Sequence, residues 1–174
     1  HAWNAVLSDG KWYLLDSTYG AGYYNGGGYK RAYREHYFLT PPAEFIYTNL
    51  PELRRWQLMA EKITKKGFEG LPFYRHGYFQ YGLRQLDGNK SCVISSSGDL
   101  ELRFFVPRDL DLMVSVRDLS GKPLFRPAVT REKEAVVIHA LFHKPGDYHL
   151  IGWVNPAERP KDYSWAFTYL VRAR

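Results

Sequence analysis

The chain has 174 residues and a mass of 20.3 kDa, with 45% hydrophobic and 17% aromatic side chains, room for one or two compact units with a real core, which excludes global disorder. No apolar run approaches the ~18 residues that cross a bilayer, HAWNAVLSDG lacks the basic start and apolar stretch of a signal peptide, and the single cysteine, Cys92, excludes an internal disulfide framework or a cysteine-built zinc site. The formal net charge of +6 is divided as 9 basic against 7 acidic residues in 1–70 and 15 against 11 in 71–174, with signs interleaved as in Arg103, Arg108, Asp109, Asp111, Arg117 and Asp118; these are solvated faces, not a phosphate track, so neither nucleic acid nor membrane is an expected partner and a reducing, cytoplasmic setting is.

In chain order, HAWNAVL and KWYLLDST flank Ser8-Asp9-Gly10, and Asp-Gly between aromatic and branched runs predicts a β-hairpin. A two-residue turn makes opposed residues sum to 19, so His1 faces Thr18 and Trp3 faces Asp16. His1, Trp3, Leu14, Asp16 and Thr18 then share one face, with His1 and Asp16 as diagonal neighbours within side-chain reach. An Asp that holds a His is the orienting half of a nucleophilic triad, though the same pair also occurs as plain sheet decoration. A three-residue turn would put the two on opposite faces.

The run GAGYYNGGGY is too glycine-rich for regular structure and predicts a mobile rim, with Tyr23, Tyr24 and Tyr29 lining a groove or packing the loop. No Walker pattern surrounds Lys30. REHYFLT reads as a strand. Thr40 before Pro41 reads as an N-cap, opening a helix through Ala43 to Tyr47. EKITKKGFEGLP, residues 61–72, is a linker with at most one helical turn, which puts the domains at 1–70 and 71–174.

Beyond it the pattern is β. Leu100, Leu102, Phe104 and Val106 alternate with charged residues, as do Leu112, Val114 and Val116. EAVVIHALF, GDYHLIGWV and DYSWAFTYLVR continue the series, separated by Lys144-Pro145-Gly146, Asn155-Pro156 and Arg159-Pro160. Roughly seven strands predict an immunoglobulin-like sandwich. Asn89-Lys90-Ser91 is a glycosylation triplet of a kind frequent by chance. Cys92 reads as a buried or half-buried structural thiol, and Trp153 and Trp165 as core or cross-strand aromatics. His139 and His143 have helical zinc spacing but lie in a strand pattern without the HExxH glutamate.

HAWNAVLSDGKWYLLDSTYGAG resembles the His and Asp motifs of the transglutaminase-like cysteine enzyme superfamily, in which a His, an aromatic two residues on, a hairpin and an Asp-x-Thr-aromatic segment follow a nucleophilic Cys. EHYFLTPPAEFIYTNLPELRRWQLM resembles the segment that follows this core in the kyphoscoliosis peptidase family. LPFYRHGYFQYGL, GDYHLIGWV and YSWAFTYLV continue the likeness into the β-rich part.

The resemblance implies an α+β fold: the sheet portion of a papain-like transglutaminase core, then an immunoglobulin-like β-sandwich. It makes His1 the catalytic base, Asp16 the residue that fixes its tautomer, and Trp3, Thr18 and Tyr19 the lining of the site, with Tyr19 where the family pattern has Trp. It implies a Cys–His–Asp triad acting on peptide or glutamine amides, no metal or organic cofactor, and protein partners of the cytoskeleton. In family order the thiol precedes the His, so these residues read as a C-terminal fragment beginning at the catalytic His, and Cys92 stands in the wrong order to replace it. The alternative is an inactive cytoskeletal or cytokinesis scaffold that binds proteins through the same two domains. A sugar-binding sandwich is a third reading, which requires exposed aromatics at Trp153 or Trp165.

Overall fold

The computed structural model describes residues 1–24, 26–88, 91–133, 135–156, 158 and 163–174. Asn89 and Lys90 of the glycosylation triplet and the Arg159-Pro160 turn lie outside the described residues. The chain divides into two units, His1–Phe68 and Glu69–Arg174.

In the first unit, β1 (Asn4–Ser8) and β2 (Lys11–Leu15) pair antiparallel from Asn4↔Leu15 to Ser8↔Lys11. Opposed residues sum to 19, as the two-residue turn requires. Asp9 and Gly10 have φ of 50° and 75°, the type I′ geometry whose twist matches the flanking strands. Pairing ends at Leu15, and Asp16 leaves the sheet to cap α1 (Ser17–Ala21). Thr18 therefore sits exposed on a helix and does not face His1 across the hairpin.

Three further expectations are corrected. The glycine-rich stretch does hold regular structure: β3 (Gly22–Tyr24) pairs with β4 (Tyr29–Arg31). A Cβ at Gly22 would lie 2.1 Å from the Lys30 carbonyl oxygen, so this ladder closes only over a hydrogen. REHYFLT is not a strand, since Glu35–Tyr37 form a 3-10 turn and Leu39, at φ 55°, breaks any extended run. The segment still lies against the end of β2, with Asp16 N–H donating to Tyr37 O and Thr40 N–H to Leu14 O, both at 2.9 Å. α2 (Pro42–Phe45) is shorter than expected and starts from Pro41; the Thr40 hydroxyl donates to His36 O at 2.5 Å instead of capping it. A second 3-10 turn, Arg54–Gln57, follows. The Gln57 amide donates to Ile63 O and accepts from Ile63 N–H, each at 2.9 Å, which satisfies a buried polar side chain.

Leu14, Tyr37, Phe45 and Ile46 form the apolar core of this unit. His36 lies beside it with its ring 4% exposed and Nδ1 3.6 Å from Glu44 Oε2. Burial lowers its pKa from 6.5 to about 4. The unfolded chain takes up this proton near 6.5 and the folded chain only near 4, so stability falls as pH drops through that window and levels off below it. Acid denaturation is expected to show a loss of about 3 kcal/mol between pH 6.5 and 4, flattened in His36→Gln and measured by urea titration at stepped pH.

α3 (Lys65–Glu69) bridges the sequence boundary. The second unit comprises β5 (Phe73–Tyr74), α4 (His76–Gln80), β6 (Arg84–Gln85), β7 (Val93–Ser96), β8 (Asp99–Phe105), β9 (Leu110–Arg117), β10 (Pro123–Phe125), β11 (Ala128–Glu132), β12 (Ala135–Leu141), β13 (Gly146–Pro156) and β14 (Ser164–Ala173). One sheet has the order β10-β9-β13-β14-β5, with β7 also on β14, and the other β11-β12-β8-β6.

That makes ten strands among the described residues rather than seven, because β5, β6 and β10 are too short to show a period. The five longest, β8, β9, β12, β13 and β14, are the alternating runs of the sequence. Their inner faces, including Leu102, Phe104, Ile138, Leu150, Val154, Phe167 and Tyr169, are buried, as two packed sheets require. The result is a mostly β chain ending in an immunoglobulin-like sandwich. A buried tyrosine–amide cluster closes it, where Tyr74 and Tyr169 hydroxyls donate to Gln85 Oε1 at 2.5 and 2.7 Å.

Candidate active site

The end of the first hairpin brings His1 and Asp16 together. His1 Nε2 stands 2.6 Å from Asp16 Oδ2. Since β1 starts at Asn4 and β2 ends at Leu15, both residues lie just beyond the ladder, where the chain is free to aim them. Asp16 is fully buried and the imidazole about one-third exposed. A carboxylate only accepts, so Nε2 carries the proton and Nδ1 presents a basic lone pair.

Asp16 serves two local purposes. Its Oδ1 accepts from Tyr19 N–H at 2.9 Å as the N-cap of α1, one of the residue types preferred there. Its Oδ2 accepts from His1 and also from Asn49 Nδ2 at 2.9 Å. Three donors thus hold a carboxylate that has no water contact.

The other expected residues divide. Tyr19 stacks on the imidazole with ring centroids 4.5 Å apart and planes at 18°, and it also meets the Tyr37 ring at 5.5 Å. Trp3 lies 6.3 Å from the imidazole and packs edge-on against Phe45 of α2 at 5.8 Å. Thr18 makes no hydrogen bond to His1 or Asp16 among the described residues. Asn49 and Thr48, which follow α2, were not legible as site residues: they stand 33 and 32 positions from Asp16, and no spacing rule links a turn after one helix to the cap of another.

Elsewhere the chemistry-bearing side chains stay apart. Cys92 is free and half-buried in the second unit, its Sγ 3.4 Å from Glu69 O. His139 is exposed on β12 and 3.7 Å from Glu101 Oε2, and no three His, Cys, Asp or Glu side chains among the described residues gather as a metal site. Trp153 and Trp165 are cross-strand partners on β13 and β14, half-buried, under Arg117 and Arg75 guanidiniums at 5.3 and 4.6 Å. Tyr23, Tyr24 and Tyr29 are exposed on the β3–β4 hairpin. No described helix is long and apolar enough to cross a membrane.

Residues 65–174 match the model of a family described as KY-like, immunoglobulin-like domain. The chain is 34% identical over 124 residues to Hillarin of Drosophila melanogaster, covering 63% of this chain and 15% of that protein. It is 34% identical over 100 residues to the kyphoscoliosis peptidase of Mus musculus, covering 56% of this chain and 15% of the relative. It is also 25% identical over 171 residues to the Lim and transglutaminase domain protein ltd-1 of Caenorhabditis elegans, covering 83% and 24%. The chain thus spans between about one-seventh and one-quarter of the length of these relatives.

Proposed function

Because the chain belongs to the KY-like family through its immunoglobulin-like domain, we propose that His1 and Asp16 are the base and the orienting carboxylate of a Cys–His–Asp triad acting on peptide or glutamine amides. The first unit is then the sheet portion of a papain-like transglutaminase core. The thiol comes from polypeptide that precedes His1 in the parent protein. The observation that carries this reading is the 2.6 Å contact between His1 Nε2 and a fully buried Asp16 carboxylate. A buried carboxylate aimed at a partly exposed imidazole is costly as decoration and useful as a base.

The reaction follows from the tautomer. His1 Nδ1 takes the thiol proton, and the thiolate adds to the amide carbonyl carbon. As the tetrahedral adduct collapses, the C–N bond breaks and Nδ1 returns the proton to the leaving amine. Water or an amine then displaces the thiolate from the acyl-enzyme through the same base. Asp16 stabilises the imidazolium in both halves without accepting its proton. The chemistry needs no metal or organic cofactor. The substrates are proteins, and a cytoplasmic, cytoskeleton-associated setting fits the likeness.

The test uses the full-length parent with a thiol-directed acyl probe. One thiol upstream of His1 is expected to label rapidly at neutral pH, and His1→Ala to slow that labelling by about 10²–10⁴-fold. Labelling that is absent, or indifferent to His1→Ala, would leave the two domains as a protein-binding scaffold.

A further inference from the structure

We infer that Asn49 is a positioning residue for His1, acting through Asp16, and that Thr48 braces its amide; the inference rests on the triad reading above. Asp16 Oδ2 accepts from both His1 Nε2, at 2.6 Å, and Asn49 Nδ2, at 2.9 Å. With Tyr19 N–H on Oδ1, the carboxylate is pinned at both oxygens and cannot swing about its Cβ–Cγ bond away from the imidazole.

An amide fits this place in either of two orientations, and only one donates to Asp16. The Asp16 carboxylate, which only accepts, selects it, and Thr48 Oγ1 braces it from the other side. Its hydroxyl lies 2.6 Å from Asn49 Oδ1 and 3.3 Å from Phe45 O, and a hydroxyl has one proton, which goes to the nearer acceptor. The amide oxygen is therefore occupied, and Nδ2 faces the carboxylate. The backbone fixes the rest, since Asn49 N–H donates to Phe45 O at 3.0 Å at the end of α2. Asn49 is 2% exposed and Asp16 fully buried, so water cannot substitute for the lost donor.

A plainly structural Asn would close α2 and fill space without influencing the imidazole. The two roles separate on readouts that belong to His1. Ring nitrogen shifts of His1 are measured by NMR in the full-length parent with ¹⁵N-histidine, the signal being assigned by its loss in His1→Ala. The wild-type ring is expected as the Nε2–H tautomer. Asn49→Leu, of similar volume, is expected to populate both tautomers while the fold survives. Thr48→Val should move the same signals less far.

Alkylation of the upstream thiol by iodoacetamide supplies the kinetic readout. Its bell-shaped pH profile is expected to narrow from both sides in Asn49→Leu, because a looser carboxylate stabilises the imidazolium less. The neutral-pH rate should fall about tenfold, the size of one charge-assisted hydrogen bond. His1 shifts and a profile that superimpose on wild type, with only folding stability reduced, would overturn the inference. If the tautomer moves while labelling ignores His1→Ala, the positioning stands and the triad reading falls.

Discussion

Asp16→Asn in the full-length protein is expected to reduce acyl-probe labelling by about 10³–10⁴-fold, the loss expected when a triad carboxylate becomes an amide, and to melt between wild type and Asp16→Ala, because it keeps the N-cap acceptor but loses the acceptor for Asn49 Nδ2. Asn is as good an N-cap as Asp, so the bond from Tyr19 N–H, now 2.9 Å to Oδ1, has an oxygen to meet and α1 keeps its start. The charge that favours the imidazolium is gone, and an amide nitrogen turned toward His1 would hold the ring in the wrong tautomer. Asp16→Ala differs in kind. It removes the cap, for about 1 kcal/mol, in addition to the acceptor for the buried Asn49 amide that both variants lose, for about 1–3 kcal/mol. Thermal melts and probe labelling on the two variants separate the carboxylate's chemical part from its structural one. Full labelling of Asp16→Asn would remove Asp16 from the reaction.

The legibility of this chain followed the range of the interactions. The first hairpin was readable because Asp9-Gly10 adopts the one turn whose twist and register it encodes, and that register carried the His1–Asp16 juxtaposition. The long strands were readable because Leu100, Leu102 and Phe104, or Val114 and Val116, bury one face at period two. Extending the ladder past Leu15 misplaces Thr18, since the same Asp that ends the strand is a strong helix cap. The REHYFLT segment has strand composition but forms a single bridge, at Thr40; its other backbone bonds tie Tyr37 O to Asp16 N–H and Arg34 N–H to Gly20 O and close a 3-10 turn. Asn49 had no local signal because its partner is an acceptor on another element, chosen by tertiary structure alone.

The largest stability effect is expected at Phe167. Its ring is fully buried and lies parallel to Phe104 across the two sheets, with centroids 4.7 Å apart and planes at 2°. It occupies space left open by Gly152, its partner on β13, where a Cβ would come within 2.2 Å of the ring. Phe167→Ala is expected to cost about 3–5 kcal/mol, transfer energy and cavity together. Gly152→Ala alone is expected to cost about 1–3 kcal/mol by forcing the ring off its site; φ at Gly152 is not in the left-handed region, so the backbone itself accepts alanine. The double variant decides whether the two residues act as one packing unit. With the ring gone the new methyl meets no clash and fills part of the vacated volume, so the double should be more stable than the sum of the singles by about 1–3 kcal/mol. Urea titrations followed by tryptophan fluorescence read this directly, because Trp153 and Trp165 flank Gly152 and Phe167 in the same ladder. Strict additivity would mean that Gly152 is small for some reason other than the Phe167 ring.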